Sequence, residues 1–153
     1  MRLHKANYSH LYLAGFDLAE SDREEMDRML PGRDPIDVLT ASSGDRTTHA
    51  ITDMLGRVLA VGGHEGGIIW FVHTRTAERL SVGDKRRMFW LLAAHLLRIK
   101  RQAIRQRPQD HFHFTNIVSR LNWKHRKLLK ALGAEFDGVI QQVNGHEFLQ
   151  FYI

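Results

Sequence analysis

The 153-residue sequence has no cysteine. Disulfides, thiolate zinc sites and a cysteine nucleophile are therefore excluded, and the composition fits a reducing compartment. No apolar run approaches the 18 or so residues of a membrane span, and the opening MRLHKANYSH carries no apolar signal-peptide core. A soluble protein that is not exported by that route, and has no membrane partner, is the expectation. Ser-His-Asp order, a P-loop and a dinucleotide fingerprint are also missing. The pairs Gly62-Gly63 and Gly66-Gly67 sit as turn glycines, with no helix pattern behind them.

What is present is a chain that is 43% hydrophobic, enough for one domain over 1–153 with its own core. The net charge is +5. Acidic residues gather early (Glu20, Asp22, Glu24, Glu25, Asp27) and basic ones late (Arg98, Lys100, Arg101, Arg105, Arg107, then Arg120, Lys124, Arg126, Lys127, Lys130). That asymmetry permits polyanion binding. No aromatic residues interleave the basic ones as a stacking platform requires, so a solvated face is the simpler reading and nucleic acid is not an expected partner.

The chain is organised around residues 67–102. Ile68 to Val72 is an apolar, β-branched and aromatic run, the composition of a central strand covered on both faces. Ser81 is placed to cap a long helix, with Asp84 three residues on as an imperfect capping box. Phe89, Leu92, Leu96 and Ile99 give that helix its apolar stripe, widened by Met88 and Leu91. Lys85, Arg86 and Arg87 crowd its first turn, where the helix dipole is already positive. A bound anion would resolve that conflict; exposure to water would resolve it equally well.

Elsewhere, His10 to Phe16 reads as a first strand. Ser21 caps a helix over 22–30 with Met26, Met29 and Leu30 on one face, stopped by Pro31-Gly32. Asp34-Pro35 starts a short helix, and 41–45 is a loop. Strands at 47–52, 57–61 and 68–74 form an antiparallel meander, with His64-Glu65 in the tight connection before the third. Pro108 to Asp110 breaks the chain, and alternation marks a strand over 111–118, parallel to 68–74 across the long helix. His111 and His113 share one face of it but have no evident third ligand, so no metal is expected. Asn122 caps a helix that Gly133 ends, and Asn144-Gly145 joins two final strands as a hairpin.

The order of strand, two helices, three antiparallel strands, long helix, strand, helix and hairpin resembles the GNAT fold of acetyl-CoA-dependent N-acyltransferases. This is an α/β domain with a mixed central sheet. Val118-Ser-Arg-Leu-Asn122 is similar to that family's V-x-x-x-N, and Leu128 to Phe136 to its closing helix. A narrower resemblance, carried by Arg57 to Gly63, Trp70 to Val72, Arg79 to Ser81, Lys85-Arg86 and Asn116…His125…Leu132-Gly133, is to phage proteins that include the internal virion protein A of short-tailed coliphages.

The resemblance implies acetyl-CoA in the opening between the 68–74 and 111–118 strands. Backbone groups of Phe71, Val72 and Thr74 would set the geometry of its thioester. Arg79, Ser81, Val82, Gly83, Lys85 and Arg86 would surround the pyrophosphate, and Asn122 would touch the pantetheine arm. The acceptor would be an amine of unknown identity, on a small molecule or a protein. His73 at the strand end has the reference pKa of a general base, and Glu65 is the candidate on the acceptor side. Two positions depart from the family pattern. The phosphate loop holds one glycine and Asp84, and Leu129 falls where many members carry a tyrosine acid. Two functions follow: an N-acyltransferase, or a catalytically silent protein of phage assembly that binds phage structural proteins or a host protein. Either would work in the cytoplasm of an infected bacterium, the second also inside the particle.

Overall fold

The structure, a computed structural model, describes residues 1–106 and 114–153. Its strands are β1 (Arg2–Lys5), β2 (His49–Thr52), β3 (Val58–Glu65), β4 (Ile68–His73), β5 (Thr115–Ser119), β6 (Glu135–Val143) and β7 (His146–Tyr152). Its helices are α1 (Tyr8–Phe16), α2 (Glu20–Met29), α3 (Pro35–Thr40), α4 (Arg75–Glu78), α5 (Val82–Gln106) and α6 (Trp123–Ala131). The strands form one mixed sheet in the order β1-β2-β3-β4-β5-β7-β6.

The N-terminus differs from the sequence expectation. His10 to Phe16 is helical, and the first strand is Arg2–Lys5, paired with β2. The cap decides this. Asn7 Oδ1 accepts the His10 N–H at 3.0 Å, and the Asn7 N–H donates to His10 Nδ1 at 3.1 Å. This reciprocal box satisfies two end donors. Leu11, Ala14 and Gly15 then face inward at helical spacing. Helix α2 starts at Glu20 after Ala19, so Ser21 lies inside it rather than capping it.

The connection between β3 and β4 also differs. Strand β3 runs on through His64 and Glu65, and the turn is Gly66-Gly67 alone. Their φ values of 56° and 88° are those of a two-residue hairpin, which glycine adopts without strain. The other expected features are present. Asp34 caps α3 through the Ile36 N–H. Ser81 Oγ accepts the Asp84 N–H at 3.1 Å and donates to its carboxylate at 2.8 Å, opening α5. Gly133 has φ 92° after α6, and Asn144-Gly145 turns β6 into β7. Helix α4 was not expected. The break at Pro108–Asp110 and the residues His111 to His113 lie outside the described residues.

Strands β4 and β5 are parallel, as expected, but meet in a single register pair, Ile68 with Thr115. The Thr115 N–H donates to Gly67 O at 2.9 Å, and Asn116 Nδ2 bridges to Ile69 O at 2.7 Å. Beyond this point no ladder pair joins the two strands, and the sheet is open between them. Helices α1 and α3 pack on one face against Ala50, Val58 and Val61. Helices α5 and α6 cover the other, where Leu96, Ile99 and Leu129 meet Phe114, Val118 and Phe151.

Candidate functional site

The opening in the sheet is where the chemistry-bearing side chains converge. Strand β4 delivers His73 to its rim. Side chains alternate along a strand, so His73 points with Phe71 toward α5 and α6. Helix α2 lies against the other face and sends Asp22 and Glu25 into the gap. Helix α6 supplies Asn122, its cap, and His125.

Asp22 is 4% exposed. Its Oδ2 accepts both the His73 backbone N–H, at 2.8 Å, and His73 Nδ1–H, at 2.7 Å. Burial opposes its charge, but the two His73 donors outweigh it and hold its carboxyl below the usual range. Burial likewise disfavours charge on His73, yet the Asp22 carboxylate beside it raises its pKa above the ordinary histidine value. His73 Nε2 faces outward, 3.8 Å from Glu78 Oε1, which in turn accepts from Lys124 Nζ at 2.8 Å.

Glu25 is different. Burial pushes its carboxyl up to about 7, against the help of Asn122 and the Ser119 backbone N–H. His125 packs its ring on Phe71, centroids 4.5 Å apart. Its Nδ1 lies 4.0 Å from Asp22 and 3.9 Å from Glu25, too far for hydrogen bonds. Burial lowers its pKa, against the opposing pull of the Asp22 carboxylate. Asn122 joins both layers: Oδ1 accepts the His125 N–H, and Nδ2 donates to Ser21 O and, at 2.7 Å, to Glu25 Oε2.

Two concavities meet here from opposite faces. One lies under α2 and α3, lined by Asp22, Glu25, Met26, Met29, Trp70 and Leu39. The other lies between α5 and α6, lined by His73, Glu78, Lys85, Met88, Lys124 and Leu128. Phe71 and His125 line both, and so form the partition between them.

The residues expected from sequence fall into three groups. His73, Phe71 and Lys85 lie at the opening or its channel, and Val72 lines the α2 side. Arg79, Ser81, Val82, Gly83 and Arg86 are exposed around the start of α5. Thr74, Asn122 and Glu65 do not have the surroundings expected of them. Thr74 is buried, its hydroxyl donating to Val58 O and accepting the Ala77 N–H as the cap of α4. The polar atoms of Asn122 are occupied as above. Glu65 pairs with Ile68 at the far end of the β3–β4 hairpin, whereas His73 pairs with Ala60. Five residue steps along β4, roughly 17 Å, separate their levels in the sheet. Leu129 is buried among Leu96, Ile99 and Phe151; Leu128, not Leu129, lines the open channel.

The expected phosphate end carries Lys85 and Arg86 but also a carboxylate. A Cβ added at Gly83 would meet only Ser81 Oγ, at 3.9 Å, so the backbone there is open to its surroundings. The Asp84 carboxylate stands at the same helix end. The gap itself holds His125 against Phe71.

Sequence reasoning missed Asp22, Glu25 and His125 as site residues. A signal existed. Asp22, Glu25, Met26 and Met29 are spaced i, i+3, i+4 and i+7, so two carboxylates share the inward face of α2 with its methionines.

This seven-stranded mixed sheet with its parting between parallel strands is the GNAT fold. Similar solved structures include the GNAT domain of S. lividans PAT (TM-score 0.66, 12% identity, 99% of this chain and 90% of that one). A GNAT-family acetyltransferase from Bacillus cereus is also similar (0.59, 12%, 99% and 95%). So is spermidine N-acetyltransferase from Vibrio cholerae, solved in complex with CoA and spermine (0.60, 11%, 99% and 94%). At such identity the likeness is one of fold. No curated protein matches in sequence. The model of the family described as "Bacteriophage T7, probable scaffold protein Gp13" matches residues 48–139, more than half of the chain, and the protein belongs to that family. Among the described residues no helix is long and apolar enough to cross a membrane.

Proposed function

We propose that this is a phage assembly protein built on an acyltransferase fold whose acyl-donor site is closed, acting in the infected cell and within the assembling particle. The observation that carries this reading is the partition at the opening of the sheet. His125 packs edge-on against Phe71 where a pantetheine would pass, and Asn122, Asp22 and Glu25 tie α2 to α6 across the gap. Opening it would break a buried polar network, which costs several kcal/mol. The scaffold description of the family supports the same reading.

One observation favours catalysis instead. The Asp22–His73 pair has the form of a carboxylate-oriented base, with Nε2 directed at a channel bearing Lys85 and Lys124. In that reading His73 would take a proton from an amine acceptor, and acetyl-CoA would be the donor.

Calorimetry with acetyl-CoA separates the two. The assembly reading expects no heat of binding at millimolar ligand, and a phage carrying His73→Asn, which keeps a side-chain donor for Asp22 but removes the base, that assembles infectious particles normally. Acetyl-CoA binding together with loss of particles in His73→Asn, with the variant still folded, would overturn it.

A further inference from the structure

Helix α5 carries two apolar faces. The inner one, Met88, Leu92, Leu96 and Ile99, is packed on the sheet. The outer one is Trp90, Ala94, Leu97 and Ile104, with the stem of Arg101 completing the row. At 100° per residue these positions cluster within about 40° of Trp90, opposite Ile99. Trp90 is 59% exposed, Leu97 50% and Ile104 43%. Their spacing of four, three, four and three residues is the alternation of a coiled-coil seam, sustained over about 21 Å. A helix already anchored by its inner face needs no second seam for its own packing.

The flanks of this seam have one sign. Arg87, Arg98 and Arg105 follow one edge, and Arg86 and Lys100 the other. The only acidic residue of the helix is Asp84, in its first turn. Among the described residues, Arg87 alone of these five has a carboxylate near it, Asp84 at 3.9 Å. Flanking charges set which helix a seam accepts. A second copy would bring like charges to both edges in either orientation, and is disfavoured. A helix with an apolar seam and glutamate or aspartate flanks would match both the row and its borders.

We propose that the outer face of α5 docks an acidic amphipathic helix of another protein. This rests on the assembly reading, for which it supplies the chemistry of the partner. Recognition divides as such interfaces do: Trp90 and Leu97 anchor the centre, and the arginines select sign and register.

The probe is a labelled peptide of about the length of α5, with leucine at the seam positions and glutamate on both flanks, titrated against the full chain by fluorescence anisotropy. Binding is expected, weakened by salt and reduced about tenfold or more by Leu97→Glu. The same peptide with lysine flanks should not bind. Leu97 and Trp90 are half-exposed, so Leu97→Glu should keep its circular dichroism spectrum, and Trp90→Ala, with the same expected loss, provides a second variant. Absence of binding at about 100 μM overturns the proposal. Equal binding of a scrambled glutamate–leucine peptide, or tighter binding of duplex DNA, overturns it in favour of a plain cationic surface. A dimer in sedimentation that Leu97→Glu dissolves overturns it in favour of self-pairing. None of these outcomes depends on acetyl-CoA or on His73, so they leave the assembly reading to its own test.

Discussion

A single carboxylate oxygen, Oδ2 of Asp22, accepts both the side chain and the backbone N–H of His73, at 2.7 and 2.8 Å, from the opposite layer of the sheet. The pair is therefore a structural tie between α2 and β4 as well as a candidate base.

Asp22→Asn tests the tie. The raised pKa of His73 contributes stability that is present below the unfolded histidine value near 6.5 and fades as pH rises through the folded one. The lowered pKa of Asp22 contributes stability present above the unfolded aspartate value near 3.8 and lost as pH falls through the folded one. The window common to both lies between the two unfolded values, from about 3.8 to about 6.5. There, Asp22→Asn should destabilise the fold by about 3 kcal/mol in urea denaturation, the usual scale for breaking a buried pair. The titration of His73, followed by NMR, should move to lower pH.

Glu25 should act in the opposite sense. Its folded pKa, about 7, lies above the unfolded value of 4.5. Ionisation therefore opposes folding progressively from pH 4.5 to 7, and by a constant amount above that. Glu25→Gln removes the charge. Denaturation at pH 8 should show a gain of about 1–2 kcal/mol, less than the full shift implies because the amide also faces the Ser119 N–H. At pH 4 the gain should vanish.

A further titrating group is carried by α5 itself. Burial, with His49, Arg98 and His64 nearby, pushes His95 down to about 4, and its ring lies 4.5 Å from that of His49. Its Nδ1 is buried without a partner. Asp45, near His64, is the acidic group facing this cluster from the loop before β2. The unfolded chain takes up a proton near pH 6.5 that the folded chain refuses until about 4, so stability falls across that interval. Solvent screening reduces the effect to about 1 kcal/mol. His95→Leu should lose less stability than the parent between pH 7 and 5, measured by thermal unfolding at both.

Gly15→Ala should separate α1 from α3. An added Cβ would stand 2.8 Å from Ile36 Cα and 2.9 Å from its nitrogen, both backbone atoms that cannot turn away. A loss of about 1–3 kcal/mol is expected in urea denaturation, even though alanine is the better helix former.

Much of this fold was legible because its signals were local. Asp34-Pro35, Ser81 with Asp84, Gly133 and Asn144-Gly145 each fix a boundary through hydrogen bonds made within a few residues. His10 to Phe16 was misread because its apolar residues satisfy the strand and helix periods alike, and the deciding bond comes from Asn7, outside the run. Of the candidate site, Phe71, Val72, Lys85 and His73 were legible, the last without its surroundings. Its partner Asp22 is 51 residues away along the chain, so the pairing depends on how α2 lies across the sheet. Asn122 was legible as a cap, but not as the donor to Glu25, because that bond exists only once both faces of the sheet are covered.

The single register pair between β4 and β5 has a mechanical consequence. Among the described residues, the backbone ladder that runs from β1 to β4 and the one that runs from β5 to β6 meet only at the Ile68–Thr115 pair, where the Asn116 side chain adds a stitch to Ile69. Two cooperative units are the natural result, one on each side of the seam. In native-state hydrogen exchange, amides of β2 and β3 should share one opening free energy and those of β5 and β7 another. Asn116→Ala, by removing the stitch to Ile69, should widen the difference between them.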